Sequence, residues 1–142
     1  MRAALLQHLF VAGGLEVDRS GVSGRLVETY PAAALRAWGF AFRGYKGAKN
    51  SEVREVLVRE LLGGVGALRP AADRVLVGAS DHVVDAFVCA IVAAASRGVM
   101  TATPGPDDRP LAVAEGWIHV PTASLRDVVG NLTRETPDRS ST

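Results

Sequence analysis

The sequence predicts a single α/β domain, and three observations lead to that prediction. The chain has 142 residues, which is the usual size of one domain. Hydrophobic residues make up 48% of it and charged residues 22%, a composition that supports a buried core and is typical of a globular protein. Short segments of strand character alternate with segments of helical periodicity, which is the pattern of α/β folds.

Composition also excludes several classes of protein. A net charge of +1 argues against a strongly basic protein that coats nucleic acid. The single cysteine, Cys89, excludes a disulfide framework and a cysteine-based zinc site. The longest apolar run, residues 86–95, is too short to span a membrane, and residues 1–8 do not resemble a signal peptide. We therefore expect a cytoplasmic protein with no membrane partner.

In the first part of the chain, a strand leads directly into a helix. Residues 2–12 have helical periodicity, and residues 15–24 are predicted to form a loop. Residues 25–30 are predicted to form a strand, bounded by Gly24 and Pro31. Since Pro31 suits the first helical position, a short helix is expected over residues 31–38. Glu28 therefore lies near the carboxyl end of a strand.

In the middle of the chain, a basic loop precedes a helix. The loop covers residues 39–50, and Ser51 is the expected N-cap of a helix that runs to about residue 62. The secondary structure of residues 65–80 is ambiguous in the sequence. Residues 75–77 could form a short strand or the end of a loop.

The clearest helix covers residues 81–97, with Ser80 as its N-cap. Because residues 83–95 are apolar almost all round, we expect this helix to be packed on most sides. Residues 111–120 are predicted to form a strand, with a turn or bulge at Gly116, and residues 124–132 a weak helix. The polar tail, residues 134–142, is predicted to be disordered.

Three carboxylates occupy positions that suit a metal site. Glu28 lies at the end of a strand, and Asp81 and Asp85 lie one turn apart at the start of a helix. Mg²⁺ and Mn²⁺ bind oxygen ligands on rigid supports, and two such ions can activate water for phosphodiester cleavage. Glu28, Asp81 and Asp85 are therefore candidate metal ligands.

Each of these residues also has a structural interpretation. Asp81 is suited to the positive end of the helix dipole. Glu28 could pair with Arg25 or face solvent. Asp85 is harder to explain in this way, because an unpaired carboxylate beside apolar residues is costly. His82 is a candidate metal ligand or proton shuttle, and equally a histidine on the helix surface.

The basic loop is the best candidate for phosphate contacts. Arg43, Tyr45, Lys46 and Lys49 alternate aromatic and basic character, which is typical of surfaces that bind nucleic acid. The alternative is a solvated loop.

Charge is distributed unevenly between two longer segments of the chain. Residues 36–74 hold eight Lys or Arg against four Asp or Glu, whereas residues 75–118 hold two against five.

Four segments, in this order, resemble the DUF429 family, a group of predicted nucleases with an RNase H-like fold. The segments are residues 27–35 (VETYPAAAL), 44–46 (GYK), 80–90 (SDHVVDAFVCA) and 115–121 (EGWIHVP). The resemblance covers roughly residues 24–121. The third segment is also similar to the last catalytic helix of Holliday-junction resolvases.

This resemblance implies a role for each candidate residue. Glu28 matches the acidic residue of the fourth strand, and Asp85 matches the metal-binding aspartate of the last catalytic helix. His82 matches an auxiliary position, and Asp81 is an alternative ligand. Tyr45 and Lys46 match a Tyr-Lys motif, for which we expect a phosphate contact. The implied cofactor is Mg²⁺ or Mn²⁺, and the implied substrate is nucleic acid.

The sequence departs from the family pattern before Glu28. RNase H-like folds begin with a three-stranded meander that carries an indispensable aspartate, whereas residues 1–23 have the character of a helix and a loop. We therefore predict a partial RNase H-like fold that lacks its first strands. It comprises residues 1–23, the RNase H-like portion 24–121, and a weak helix with a tail, 122–142.

The departure leaves enzymatic activity open. The first interpretation is that the protein is a metal-dependent nuclease. The nuclease would then be truncated in this chain, and it would be inactive if the first-strand aspartate is indispensable. The alternative is a non-catalytic α/β interaction module or remnant. The missing strands also predict an exposed sheet edge, which a second copy of the chain or another partner would have to cover.

Overall fold

The computed structural model describes residues 12–14, 17–22 and 26–135, which form a mixed α/β protein. The chain divides into two compact units. The strand unit comprises Met1–Thr29 and Ala102–His119, and the helical unit comprises Tyr30–Thr101 and Val120–Thr142. The predicted helix over residues 2–12 lies almost entirely outside the described residues, as do residues 136–142 of the predicted tail.

The strand unit contains a small parallel sheet. Its strands are β1 (Val17–Asp18), β2 (Leu26–Thr29) and β3 (Ile118–His119), in the order β1-β2-β3. Val17 aligns with Leu26, and Glu28 aligns with Ile118. The predicted strand over residues 25–30 is thus confirmed at its centre, and it is the middle strand of the three.

Two predictions in the strand unit were wrong. The loop predicted over residues 15–24 contains β1, which pairs with β2. Of the strand predicted over residues 111–120, only β3 is extended, because a helix, α5 (Arg109–Glu115), takes up its first half. Pro110 suits the first turn of α5, and Gly116, at φ 96°, ends the helix in a conformation that favours glycine.

The helical unit is built from five helices in the part that the structure describes. They are α1 (Pro31–Ala37), α2 (Ser51–Gly64), α3 (Arg69–Leu76), α4 (Asp81–Arg97) and α6 (Leu125–Glu135). Pro31 begins α1 as predicted, and α4 has the predicted bounds. The predicted weak helix near the end of the chain is confirmed and extends to Glu135, into the predicted tail.

The remaining differences have local causes. A short 3-10 turn, Ala48–Asn50, precedes α2, so Asn50 rather than Ser51 is the N-cap. Residues 66–76 form a second 3-10 turn and α3, which begins with Pro70 in its first turn; the strand considered at residues 75–77 is therefore wrong. In α4, by contrast, Val83, Ala86 and Ala90 are the exposed positions within residues 83–95, and they form one narrow stripe, so the helix is packed on most sides as predicted.

The hydrophobic core lies between the helices of the helical unit. Helix α4 packs against α1 and α6, and α2 packs against α3. Leu57 and Leu61 of α2 and Val88 of α4 are fully buried in this core. Gly64 permits a close approach, because a Cβ atom there would lie 2.6 Å from Cδ2 of Leu125. The core therefore holds α4, which carries two of the candidate carboxylates, in a fixed position.

Helix α4 ends in a Schellman motif with an unusual residue. The Met100 amide donates to the Ala95 carbonyl at 2.8 Å, and the Val99 amide donates to the Ser96 carbonyl at 3.2 Å. Val99 has a φ of 56°, at the position where glycine is preferred. Its side chain is 81% exposed. A β-branched residue in this conformation is strained.

Within the described residues, no helix is long and apolar enough to cross a membrane.

Candidate functional site

Four predicted site residues lie together in the helical unit, and we call them the Asp85 cluster: Tyr45, Lys46, Asp81 and Asp85. Asp81 and Asp85 occupy the first two turns of α4, on the same side of the helix. The loop before α2 brings residues 45–47 against both carboxylates. The Tyr-Lys motif and the aspartates therefore contact each other directly.

Asp85 accepts a hydrogen bond at each carboxylate oxygen. The Tyr45 hydroxyl donates to Oδ1 at 2.6 Å, and the Lys46 ammonium donates to Oδ2 at 2.7 Å. The two donors differ in exposure, because Tyr45 is completely buried whereas the Lys46 side chain is 56% exposed. One partner of Asp85 is thus fixed by packing, and the other is a solvated ion pair.

Asp81 holds the backbone of the same loop. Its Oδ2 accepts a hydrogen bond from the Gly47 amide at 2.9 Å, and its Oδ1 accepts one from the His82 amide at 3.1 Å. Gly47 has a φ of 86°, which a residue with a side chain would adopt at a cost. Asp81 therefore joins the start of α4 to the loop, in addition to its suitability for the helix dipole.

Arg54 is a member of this site that sequence reasoning missed. Its guanidinium donates to the carbonyls of Tyr45, Gly47 and Ala79, each at 3.0 Å. It thus fixes residues 45–47 from the side of α2 while the aspartates fix them from α4. Arg54 resembles any charged residue on a helix surface, and only the three-dimensional path of the loop shows its role.

The contacts shift the pKa values of three groups. Burial, together with the hydrogen bond to Asp85, raises the pKa of Tyr45 well above its usual value. The hydrogen bond to Asp85 also raises the pKa of Lys46. The hydrogen bond from the Gly47 amide lowers the pKa of Asp81. At neutral pH the cluster therefore contains a protonated tyrosine, a cationic lysine and an ionised Asp81.

The other two candidates form none of these side-chain contacts in the described part of the chain. His82 is exposed on α4, and its backbone amide rather than its ring contacts Asp81. Glu28 is exposed on β2 of the strand unit, aligned with Ile118, and a Cβ atom at Gly116 would lie 3.1 Å from its Oε2. A role for Glu28 and His82 beside Asp85 stays a prediction.

The donor set can be compared with the needs of Mg²⁺ or Mn²⁺. These ions bind one or two protein carboxylates together with substrate phosphate, and Asp81 and Asp85 supply two carboxylates beside one loop. Within the described residues, no group of three or more His, Cys, Asp or Glu side chains could hold a metal ion. The two carboxylates are oxygen ligands of the type that a hard cation prefers, and the Lys46 ammonium already pairs with Oδ2 of Asp85.

Comparison with known proteins identifies the family. The family model described as "Protein of unknown function (DUF429)" matches residues 2–109, a segment that contains every member of the Asp85 cluster. The search of curated proteins and the search of solved structures found no match. Since the family model covers more than half of the chain, the protein belongs to the DUF429 family.

Proposed function

We propose that this protein is a divalent-metal-dependent nuclease that hydrolyses phosphodiester bonds of nucleic acid. One observation carries the proposal: Asp85 is held by a buried tyrosine on one oxygen, and among the described residues its other oxygen accepts a hydrogen bond only from an exposed lysine ammonium. A carboxylate arranged in this way is oriented in advance and can exchange one cation for another.

Asp85 would hold the metal ion, with Asp81 as the second carboxylate. A bound Mg²⁺ or Mn²⁺ ion supplies activation of water and stabilisation of the leaving oxygen. Glu28 is the further ligand that the resemblance implies, and its place in such a site is part of the proposal.

Tyr45 is a positioning residue in this proposal. Because its hydroxyl is buried and its pKa is raised, it remains a hydrogen-bond donor to Oδ1 of Asp85 throughout the physiological pH range. This bond fixes the orientation of the carboxylate, as hydrogen bonds from outside the ligand set commonly do at metal sites.

Lys46 would change its partner when substrate binds. Its side chain is exposed, and its ammonium pairs with one carboxylate oxygen and lies 5.7 Å from the centre of the Tyr45 ring, contacts that are weak at an exposed position. If Asp85 held a metal ion, the Lys46 ammonium would be free to contact a phosphate oxygen of the substrate. The same lysine thus neutralises Asp85 in the free protein and the phosphate in the complex.

The test is a calorimetric titration of Mn²⁺ into the wild type and into Asp85→Asn, followed by cleavage assays on labelled oligonucleotides with Mg²⁺ or Mn²⁺. We expect the wild type to bind and cleave, and Asp85→Asn to do neither. Asp107→Asn is the matched control, because Asp107 is an exposed carboxylate outside the helical unit. Absence of Mn²⁺ binding by the folded wild type would contradict the proposal.

A second candidate function is a non-catalytic interaction module. It is favoured by the fact that both oxygens of Asp85 already accept hydrogen bonds, so the cluster could serve only to fix the loop. Stability does not separate the candidates, because Asp85→Asn removes a charged acceptor in either case. Metal binding does separate them, since the interaction module would leave Mn²⁺ unbound.

A further inference from the structure

A groove of about 540 Å³ lies beside α1 in the helical unit. Tyr30, Arg36, Phe42 and Arg43 supply its large side chains, and the rest of its lining is apolar, three alanines of α1 and Val120. This volume is within the range of roughly 300–1,000 Å³ that small-ligand sites occupy. None of the residues of the Asp85 cluster lines it.

The groove combines aromatic rings with guanidinium groups. The Cζ atoms of Arg36 and Arg43 lie 5.7 and 5.2 Å from the centre of the Phe42 ring, so one ring orients both side chains. The Tyr30 side chain is 55% exposed. An exposed aromatic ring beside two oriented cations is the arrangement on which proteins stack a base and hold the adjoining phosphates.

The charge of the groove is unbalanced. Its lining contains two arginines and no Asp or Glu. In the part of the chain that the structure describes, neither Arg36 nor Arg43 forms an ion pair with a carboxylate. An anion would therefore meet two unneutralised guanidinium groups, which bind phosphate oxygens well.

We propose that this groove binds single-stranded nucleic acid, with a base stacked on Tyr30 and phosphates at Arg36 and Arg43. Single strands are favoured over duplex because only an unpaired base can offer its face to the Tyr30 ring. The inference deepens the proposed nuclease function, on which it rests for its ligand class, by naming the form of the substrate. Binding in the groove requires no metal ion.

The groove is near the Asp85 cluster. Arg43, which lines the groove, precedes Tyr45 and Lys46 by two and three residues in the same loop. A strand whose phosphates contact Arg43 would therefore meet Lys46, the predicted phosphate contact, three residues further along the same loop. The groove would thus position the nucleic-acid strand, and the Asp85 cluster would hydrolyse its phosphodiester bond.

The test is a fluorescence anisotropy titration with a labelled oligothymidylate and a duplex of equal length, in buffer containing EDTA and at several salt concentrations. We expect the single strand to bind more tightly than the duplex. Tyr30→Ala should weaken binding roughly tenfold, and Tyr30→Phe should retain it. Arg43→Ala should lower the slope of log affinity against log salt by about 0.7, the value for one phosphate contact on a single strand.

The controls separate this inference from the nuclease proposal. Arg126→Ala removes an exposed arginine of α6 that does not line the groove, and it should bind as the wild type does. Equal affinity for duplex and single strand, or wild-type affinity in Tyr30→Ala, would overturn the inference even if cleavage occurs. Groove binding without Mn²⁺ uptake or cleavage would overturn only the nuclease proposal.

Discussion

The two units of this protein differ in how their described residues are held. In the helical unit, a continuous apolar core fixes the helices, and the carboxylates of α4 are oriented by a buried tyrosine and by backbone amides. In the strand unit, the strands have two, four and two residues, and Glu28 is exposed on the longest of them. The comparison teaches that Asp81 and Asp85 are positioned by the core of their own unit, whereas the position of Glu28 depends on a short sheet.

The largest expected effect tests which of the two units contributes more to the free energy of unfolding. Leu61→Ala removes a fully buried side chain of the helical unit and should lower the free energy of unfolding by about 2–5 kcal/mol. Leu111→Ala, at a 56% exposed position of α5 in the strand unit, should change it by about 0.5 kcal/mol or less. Urea denaturation followed by circular dichroism measures both variants. Equal losses would show that the two units contribute alike.

The next effect compares the carboxylates of the two units. Asp85→Asn weakens two hydrogen bonds to a charged acceptor and should cost about 1–2 kcal/mol in metal-free buffer. Glu28→Gln changes an exposed carboxylate and should be close to neutral. Thermal denaturation in EDTA measures the difference. If Glu28→Gln were the more destabilising variant, the conclusion that Asp85 is held more firmly than Glu28 would be wrong.

Alkaline pH tests the contacts of the cluster. The folded protein holds the protons of Tyr45 and Lys46 more tightly than the unfolded chain does, so their contribution to stability is present at neutral pH. It is lost as the pH rises above the ordinary values of about 10. We expect the free energy of unfolding to fall in this range.

Tyr45 can be followed directly in Tyr30→Phe, since the chain has two tyrosines. In this variant, tyrosinate absorbance should appear together with the loss of the helical circular dichroism signal. Ionisation of Tyr45 in the folded protein near its ordinary pKa would contradict the contact with Asp85.

The smallest effect is a stabilisation. Val99→Gly relieves a strained left-handed conformation at the end of α4 and should raise the free energy of unfolding by about 1 kcal/mol. Val113→Gly, at an exposed position inside α5, should instead lower it by about 0.5–1 kcal/mol. A loss of stability in both variants would show that Val99 is not strained.

Sequence reasoning predicted the elements with strong local signals. Pro31 fixed the start of α1, and the apolar run after Ser80 gave α4 its bounds. It failed at residues 111–115, where a run of consecutive apolar residues was assigned to a strand, while Pro110 and the alanines formed a helix. For short apolar runs, periodicity does not separate the two structures, so long-range packing decides.

The residues of the candidate site could be predicted from the sequence, but the hydrogen bonds between them could not. Tyr45, Lys46, Asp81 and Asp85 all stood out in the sequence, yet their mutual hydrogen bonds join residues that are about 40 positions apart in the chain. Lys46, which was predicted to contact phosphate, forms an ion pair with Asp85, which was predicted to bind metal. Arg54 gave no local signal, because its hydrogen bonds are to backbone carbonyls, which every residue type carries.

The most direct test of the central claim, that Lys46 and a divalent cation compete for Asp85, is the Mn²⁺ affinity of Lys46→Met. This change removes the ammonium and keeps an apolar side chain. Lys49→Met is the matched control, because Lys49 is an exposed lysine of the same loop that forms no ion pair in the described part of the chain. We expect Lys46→Met to bind Mn²⁺ roughly fivefold more tightly than the wild type and Lys49→Met to bind it as the wild type does. Weaker or unaltered binding in Lys46→Met would contradict the claim that the two cations compete.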